Sequence, residues 1–203
     1  MAIIEGRHAN GRTNEIPQGV GGEIRRATPI GPVAETGRQE GGVRAAARVW
    51  AVTRIALGWV FLWAFLDKTF GWGFATPAER AWVNGGSPTT GFLKGTGENA
   101  LGGFFSGLAG QPWVDWLFML GLLGVGGALV LGAGMRIAAA AGGLMLVLMW
   151  AAELPLATNP FMDEHIIYAV VLVGLVLVKA GDTFGIGGWW GRTALVRRFP
   201  VLK

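Results

Sequence analysis

The stretch WLFMLGLLGVGGALVLGAG, residues 116–134, runs for nineteen residues without a charged side chain. A hydrocarbon core about 30 Å thick needs roughly 20 helical residues to cross it, and this run supplies them alone. Three more apolar segments lie around it. Residues 49–66 are interrupted only by Arg54, residues 137–152 are followed by Glu153, and residues 166–178 lie between His165 and Lys179. The last two reach spanning length by drawing in their polar flanks. The expectation is an all-α membrane protein, a four-transmembrane-helix bundle with helices at about 47–68, 113–134, 136–154 and 163–181.

Composition agrees. Of 203 residues, 52% are hydrophobic and 15% charged, against about 25% charged in soluble domains, and the mean hydropathy is +0.45. Thirty-five glycines and ten tryptophans fit a bilayer, where Gly and interfacial Trp are enriched. The net charge of +4 sits mostly at the chain ends, not on one stripe, which argues against nucleic-acid binding. The chain has no cysteine. It therefore has no disulfide, thiolate metal site, iron–sulfur cluster or sulfur-carrying thiol.

Residues 1–45 are rich in Gly, Pro, Arg and Glu and lack apolar periodicity. They read as a disordered cytoplasmic tail ahead of a membrane domain at 46–190 and a basic cytoplasmic end at 191–203. Arg38, Arg44, Arg48, Arg136, Lys179, Arg192, Arg197, Arg198 and Lys203 all fall on one side of a four-span arrangement. The turn at 154–164 carries only Asp163 and Glu164 as charges. By the positive-inside rule both termini face the cytoplasm, and the protein lies in the plasma (inner) membrane. The loop at 69–112 then lies outside. Thr76-Pro77-Ala78-Glu79 has the form of a capping box, and Ser87-Pro88 offers a second helix start. Leu101, Phe104, Phe105 and Leu108 recur at helical spacing. The loop reads as a lid of short amphipathic helices on the outer face, or equally as an interfacial loop that only covers the helix ends. Gly124, Ala128 and Gly132 form a small-residue stripe for close helix packing within the bundle.

A charge within a span costs about 2.5–3.5 kcal/mol on insertion scales, so those present here call for a role. Arg54 lies about two turns inside the cytoplasmic end and is expected to serve a structural role, as an ion pair with Asp182 or by snorkelling to lipid phosphates. At the outer rim, Lys68, Glu153 and His165 are the candidate catalytic residues, with Asp67 and Asn159 nearby. Trp63, Trp150 and Tyr168, at similar depth, are the candidate binding faces for a quinone ring, although each also suits a simple interface anchor. No metal-ligand spacing is evident, and neither a haem nor a flavin fingerprint.

The stretch RIALGWVFLWAFLDKTFG (residues 54–71), with its arginine, its Leu57-Gly58 pair and its helix-ending Lys68, resembles the first helix of DoxX-like membrane proteins. NPFMDEH (residues 159–165) and AGD (residues 180–182) are similar to actinobacterial members, and the resemblance covers about residues 45–190. It implies a four-helix membrane protein tied to quinone or sulfur redox chemistry, since the family includes the large subunit of a thiosulfate:quinone oxidoreductase. It attaches first to Arg54 and Lys68, then to Glu153, His165 and Asp182. Two functions stand side by side on this reading. One is a subunit of a quinone-linked thiosulfate oxidoreductase with quinone as co-substrate. The other is a non-catalytic membrane anchor of a redox or respiratory complex. The partners expected are the lipid bilayer and redox subunits or soluble enzymes, not nucleic acid, and an oligomer is left open.

Overall fold

The computed structural model describes residues 32–203. Of the tail assigned to residues 1–45, residues 1–31 lie outside the described residues. Eight α-helices are present among the described residues: α1 (Pro32–Phe70), α2 (Thr90–Gly95), α3 (Gly102–Gly107), α4 (Pro112–Leu131), α5 (Met135–Glu153), α6 (Glu164–Leu177), α7 (Gly187–Trp190) and α8 (Ala194–Arg198). Single turns of 3-10 helix join them, and no strand occurs among the described residues.

Gln39–Phe70 of α1, α4 and α5 are each long and apolar enough to cross a membrane. Their outward faces carry exposed Val60, Leu117, Leu120, Leu123, Leu144 and Leu148. An apolar surface of this extent points to lipid as the solvent. At 14 residues, α6 is about 21 Å long at 1.5 Å per residue, shorter than the expected fourth span. It stops because Lys179 adopts a left-handed φ of 53°, which turns the chain into the 3-10 turn Ala180–Asp182.

Two boundaries differ from expectation for local reasons. α1 starts at Pro32, not near residue 47, so residues 32–45 continue the helix. Glu40 and Arg44 pair across one turn at 3.3 Å, an arrangement that supports a polar helix without the apolar periodicity used to find spans. α4 ends at Leu131, because Gly132 takes φ 75° and its N–H donates to the Ala128 carbonyl, a left-handed helix stop.

α1 packs on α4, α4 on α5 and α5 on α6, and α6 also touches α1. Met119, Leu129, Leu172 and Leu175 are fully buried between them, with Leu57 and Phe61. The α1–α4 seam is closed by Gly58 and Gly126. A Cβ on Gly126 would lie 2.8 Å from Leu62, and one on Gly58 2.9 Å from Leu129. The expected stripe is only partly used, since Gly124 faces open space. The helices run antiparallel, so the end of α1, the starts of α4 and α6 and the end of α5 share one end of the bundle. The segment between α1 and α4 covers this lid end. At the opposite, tail end, the Arg136 N–H and side chain donate to the carbonyls of Lys203 and Pro200, both at 3.0 Å.

Candidate functional site

The lid is fastened by one carboxylate. Asp115, in the first turn of α4, is only 8% exposed. Its Oδ1 accepts from the Thr89 hydroxyl at 2.6 Å, the Ser87 hydroxyl at 2.8 Å and the Thr89 N–H at 3.2 Å. An acidic side chain is favoured at a helix N-terminus. Ser87 in turn accepts the Thr90 N–H at 3.1 Å and so starts α2, as Ser87-Pro88 promised. The capping box is not made: Ala78–Arg80 is a 3-10 turn without a side-chain cap. The far side of the lid is tied to α5. Asn99 donates from its amide to the Ala152 carbonyl at 2.8 Å, and the Ala100 N–H to that of Leu154 at 2.9 Å. These bonds satisfy carbonyls a helix end leaves free.

Under the lid lies a groove of about 500 Å³ between α4 and α5. Its roof includes Phe92 and Phe105, and its floor Phe118 and Met145. Exposed Leu117 and Leu144 on its rim leave it open sideways to the lipid-facing surface. Among the described residues, Lys68 is the only charged one that lines it. The Lys68 ammonium lies 6.0 Å from the centroid of the Phe118 ring and forms no ion pair or hydrogen bond among the described residues. Its neighbour Asp67, 1% exposed, is turned away and accepts the N–H groups of Phe74 and Ala75 at 3.3 and 3.0 Å. Asp67 therefore closes the turn after α1 and leaves Lys68 free.

Glu153 and His165 do not line this groove, so the expected single cluster with Lys68 is not found. They meet Asp163 instead, and one potential ligand atom from each of the three lies within 4.8 Å of the others. Asp163 caps α6 by accepting the Ile166 N–H at 3.2 Å, and its other oxygen is 2.7 Å from His165 Nδ1. Burial by itself would raise the Asp163 carboxyl, but the His165 and Ile166 hydrogen bonds outweigh it and hold it below its ordinary value. Depth along each helix put these residues at one level. Their separation is azimuthal and depends on which helix neighbours which.

The proposed ring-binding residues are likewise apart from the groove. Trp63 packs with Trp59, Trp72 and Phe74, at centroid distances of 5.8, 5.5 and 5.0 Å. Trp150 donates its indole N–H to the Phe161 carbonyl at 3.0 Å. Tyr168 packs half-buried against the bundle core. None of the three lines the groove.

The Arg54–Asp182 ion pair is corrected. Arg54 is fully buried, whereas Asp182 is exposed, and no ion pair joins them. The guanidinium donates to backbone carbonyls: Leu129 and Val130 at the end of α4, and Ala180, Thr183 and Phe184 beyond α6. These are helix-end acceptors, where a cation is favoured. Asp115 and Asp163 were missed as site residues. Asp163 has a readable signal, an acidic residue three positions before an apolar helical run, while Asp115, one residue ahead of the uncharged run, carries no motif. Compared with protein-family models, with curated proteins and with solved structures, the chain finds no match.

Proposed function

We propose that the protein is a DoxX-like membrane protein of the plasma membrane, crossing it four times with both termini inside, and that it is a subunit of a quinone-linked sulfur oxidoreductase. The groove lined by the Lys68 ammonium supports this most directly. A quinone is a flat ring with two carbonyl oxygens and an apolar tail. The groove opens to lipid, as entry of such a molecule requires, and ligand pockets are typically apolar with a few polar groups that fix orientation. Lys68 supplies the donor to one carbonyl oxygen and one of the two protons that quinol formation takes up with two electrons, the second proton coming from water at the lid end, with Phe118 and Phe92 as ring contacts. Trp63, Trp150 and Tyr168 pass to a structural role. The electrons come from thiosulfate, directly or through a partner subunit, since the chain has no cysteine to carry sulfur.

The test is reduction of a short-chain quinone by thiosulfate with the full chain in lipid nanodiscs, alone and with neighbouring gene products. Turnover that falls at least about tenfold in Lys68→Met is expected. No turnover in either setting contradicts the enzymatic reading.

A second reading, a non-catalytic anchor, is favoured by the exposed Arg192, Arg197 and Arg198 at the tail end, which suit an acidic partner or anionic lipid. Stoichiometric co-purification of a soluble redox enzyme in mild detergent supports it, and isolation of the chain alone counts against it.

A further inference from the structure

The groove leaves Glu153, Asp163 and His165 without a task. They come from three backbone positions, the last residue of α5, the cap of α6 and the first turn of α6. The turn between the helices is folded so that they converge. Asn159 Oδ1 accepts the N–H groups of Phe161 and Met162, both at 3.0 Å, and Trp150 holds the Phe161 carbonyl. We propose that these three side chains bind one first-row divalent metal ion of the zinc or manganese type.

Three observations carry this. The donor set is one imidazole and two carboxylates, which suits borderline cations of that series. Donors about 2.0–2.2 Å from an ion lie about 3.5 Å from one another in a tetrahedral site; the three ligand atoms here all lie within 4.8 Å of one another, so side-chain shifts of about 1 Å close them on an ion. The third is electrostatic. Among the described residues, half-buried Glu153 has no hydrogen-bond or ion-pair partner, and no Lys or Arg lies within ion-pair distance of either carboxylate. His165, 8% exposed, is held against them. Glu153 is thus a carboxylate without a counter-charge among the described residues, set beside the Asp163–His165 pair, and a divalent ion supplies one.

The donor set also implies a consequence for the lid. The Asn99 and Ala100 hydrogen bonds end on the carbonyls of Ala152 and Leu154, on either side of Glu153. A metal that fixes Glu153 to the start of α6 therefore fixes the far attachment of the lid. Three protein ligands leave a coordination position open to water or to an incoming anion. The site does not depend on the quinone reading, because it shares no residue with the groove.

The experiment uses the full, tag-free chain in detergent, stripped with chelator and titrated with Zn2+ and, separately, Mn2+. Calorimetry and elemental analysis read the stoichiometry, and thermal melting reads the coupling to the fold. One equivalent bound, with a higher melting temperature, is expected for at least one of the two ions. Glu153→Gln, which removes a ligand charge but no hydrogen bond, is expected to weaken binding at least about tenfold, a typical loss for a disturbed metal site. Glu79→Gln, on the exposed lid, is expected to leave it unchanged. Absence of stoichiometric uptake of either ion, or uptake that Glu153→Gln leaves intact, overturns the proposal.

Discussion

The Arg54 guanidinium donates to the Ala180 carbonyl, 126 residues further along the chain, at 3.1 Å. Through this and its other bonds one side chain joins α1 to the end of α4 and to the segment that follows α6. A buried cation with no carboxylate partner among the described residues is stable here because several carbonyl dipoles converge on it. Charge-assisted hydrogen bonds contribute about 1.5–3 kcal/mol each, and they do not simply add. Arg54→Ala is therefore expected to cost roughly 3 kcal/mol or more. Arg54→Lys should rescue little, because an ammonium lacks the planar fork that reaches separate carbonyls. Melting of the purified variants in one detergent reads both, and an Arg54→Lys protein as stable as wild type contradicts the cradle.

The cradle is shaped by glycine. A Cβ on Gly181 would lie 2.4 Å from the Gly132 carbonyl oxygen, while one on Gly124 meets nothing within 4 Å. Gly181→Ala is expected to lower the melting temperature clearly. Gly124→Ala should be neutral or slightly stabilising, since Ala favours a helix interior by about 1 kcal/mol over Gly. Equal effects from the two would mean that the tail-end packing is wrong.

Asp115 holds the lid by three hydrogen bonds to Ser87 and Thr89. Asp115→Ala leaves these donors to water and should release residues 87–89 while the bundle stays folded. Amide hydrogen exchange is expected to speed up in α2 and α3 by an order of magnitude or more, the equivalent of about 1.4 kcal/mol of local stability. Unchanged protection across the lid would contradict the assigned fastening.

Because the chain contains no cysteine, single cysteines report topology without background. With four crossings, Glu98→Cys and Thr158→Cys react with a membrane-impermeant maleimide in intact cells, and Arg192→Cys reacts only after permeabilisation. Labelling of Arg192→Cys alongside Thr158→Cys in intact cells would mean that α6 does not cross.

The helices were readable because an uncharged run of nineteen residues leaves few alternatives, and α4 and α5 fall within three residues of expectation at each end. What escaped were relations between helices. The acceptors of Arg54 are main-chain carbonyls, which leave no mark in a sequence, so Asp182 was the only partner a reading of side chains offered. Lys68, Glu153 and His165 do share the lid end, yet helical rotation sends Lys68 to the α4–α5 groove and the other two to the α5–α6 junction. The groove itself was only half visible. The apolar face of α3 could be read, and Phe104, Phe105 and Leu108 do line the groove, but Asp115 gave no sign that it would hold the roof in place.

Among the described residues Lys68 is the one cation in a largely apolar groove, and direct ligand binding tests that role most sharply. A short-chain quinone is titrated into wild type and Lys68→Met in nanodiscs of uncharged lipid, with binding read by calorimetry. Saturable one-to-one binding that weakens at least about tenfold in the variant is predicted, the loss of one charge-assisted hydrogen bond. No saturable binding to wild type, or equal affinity in both proteins, contradicts the account.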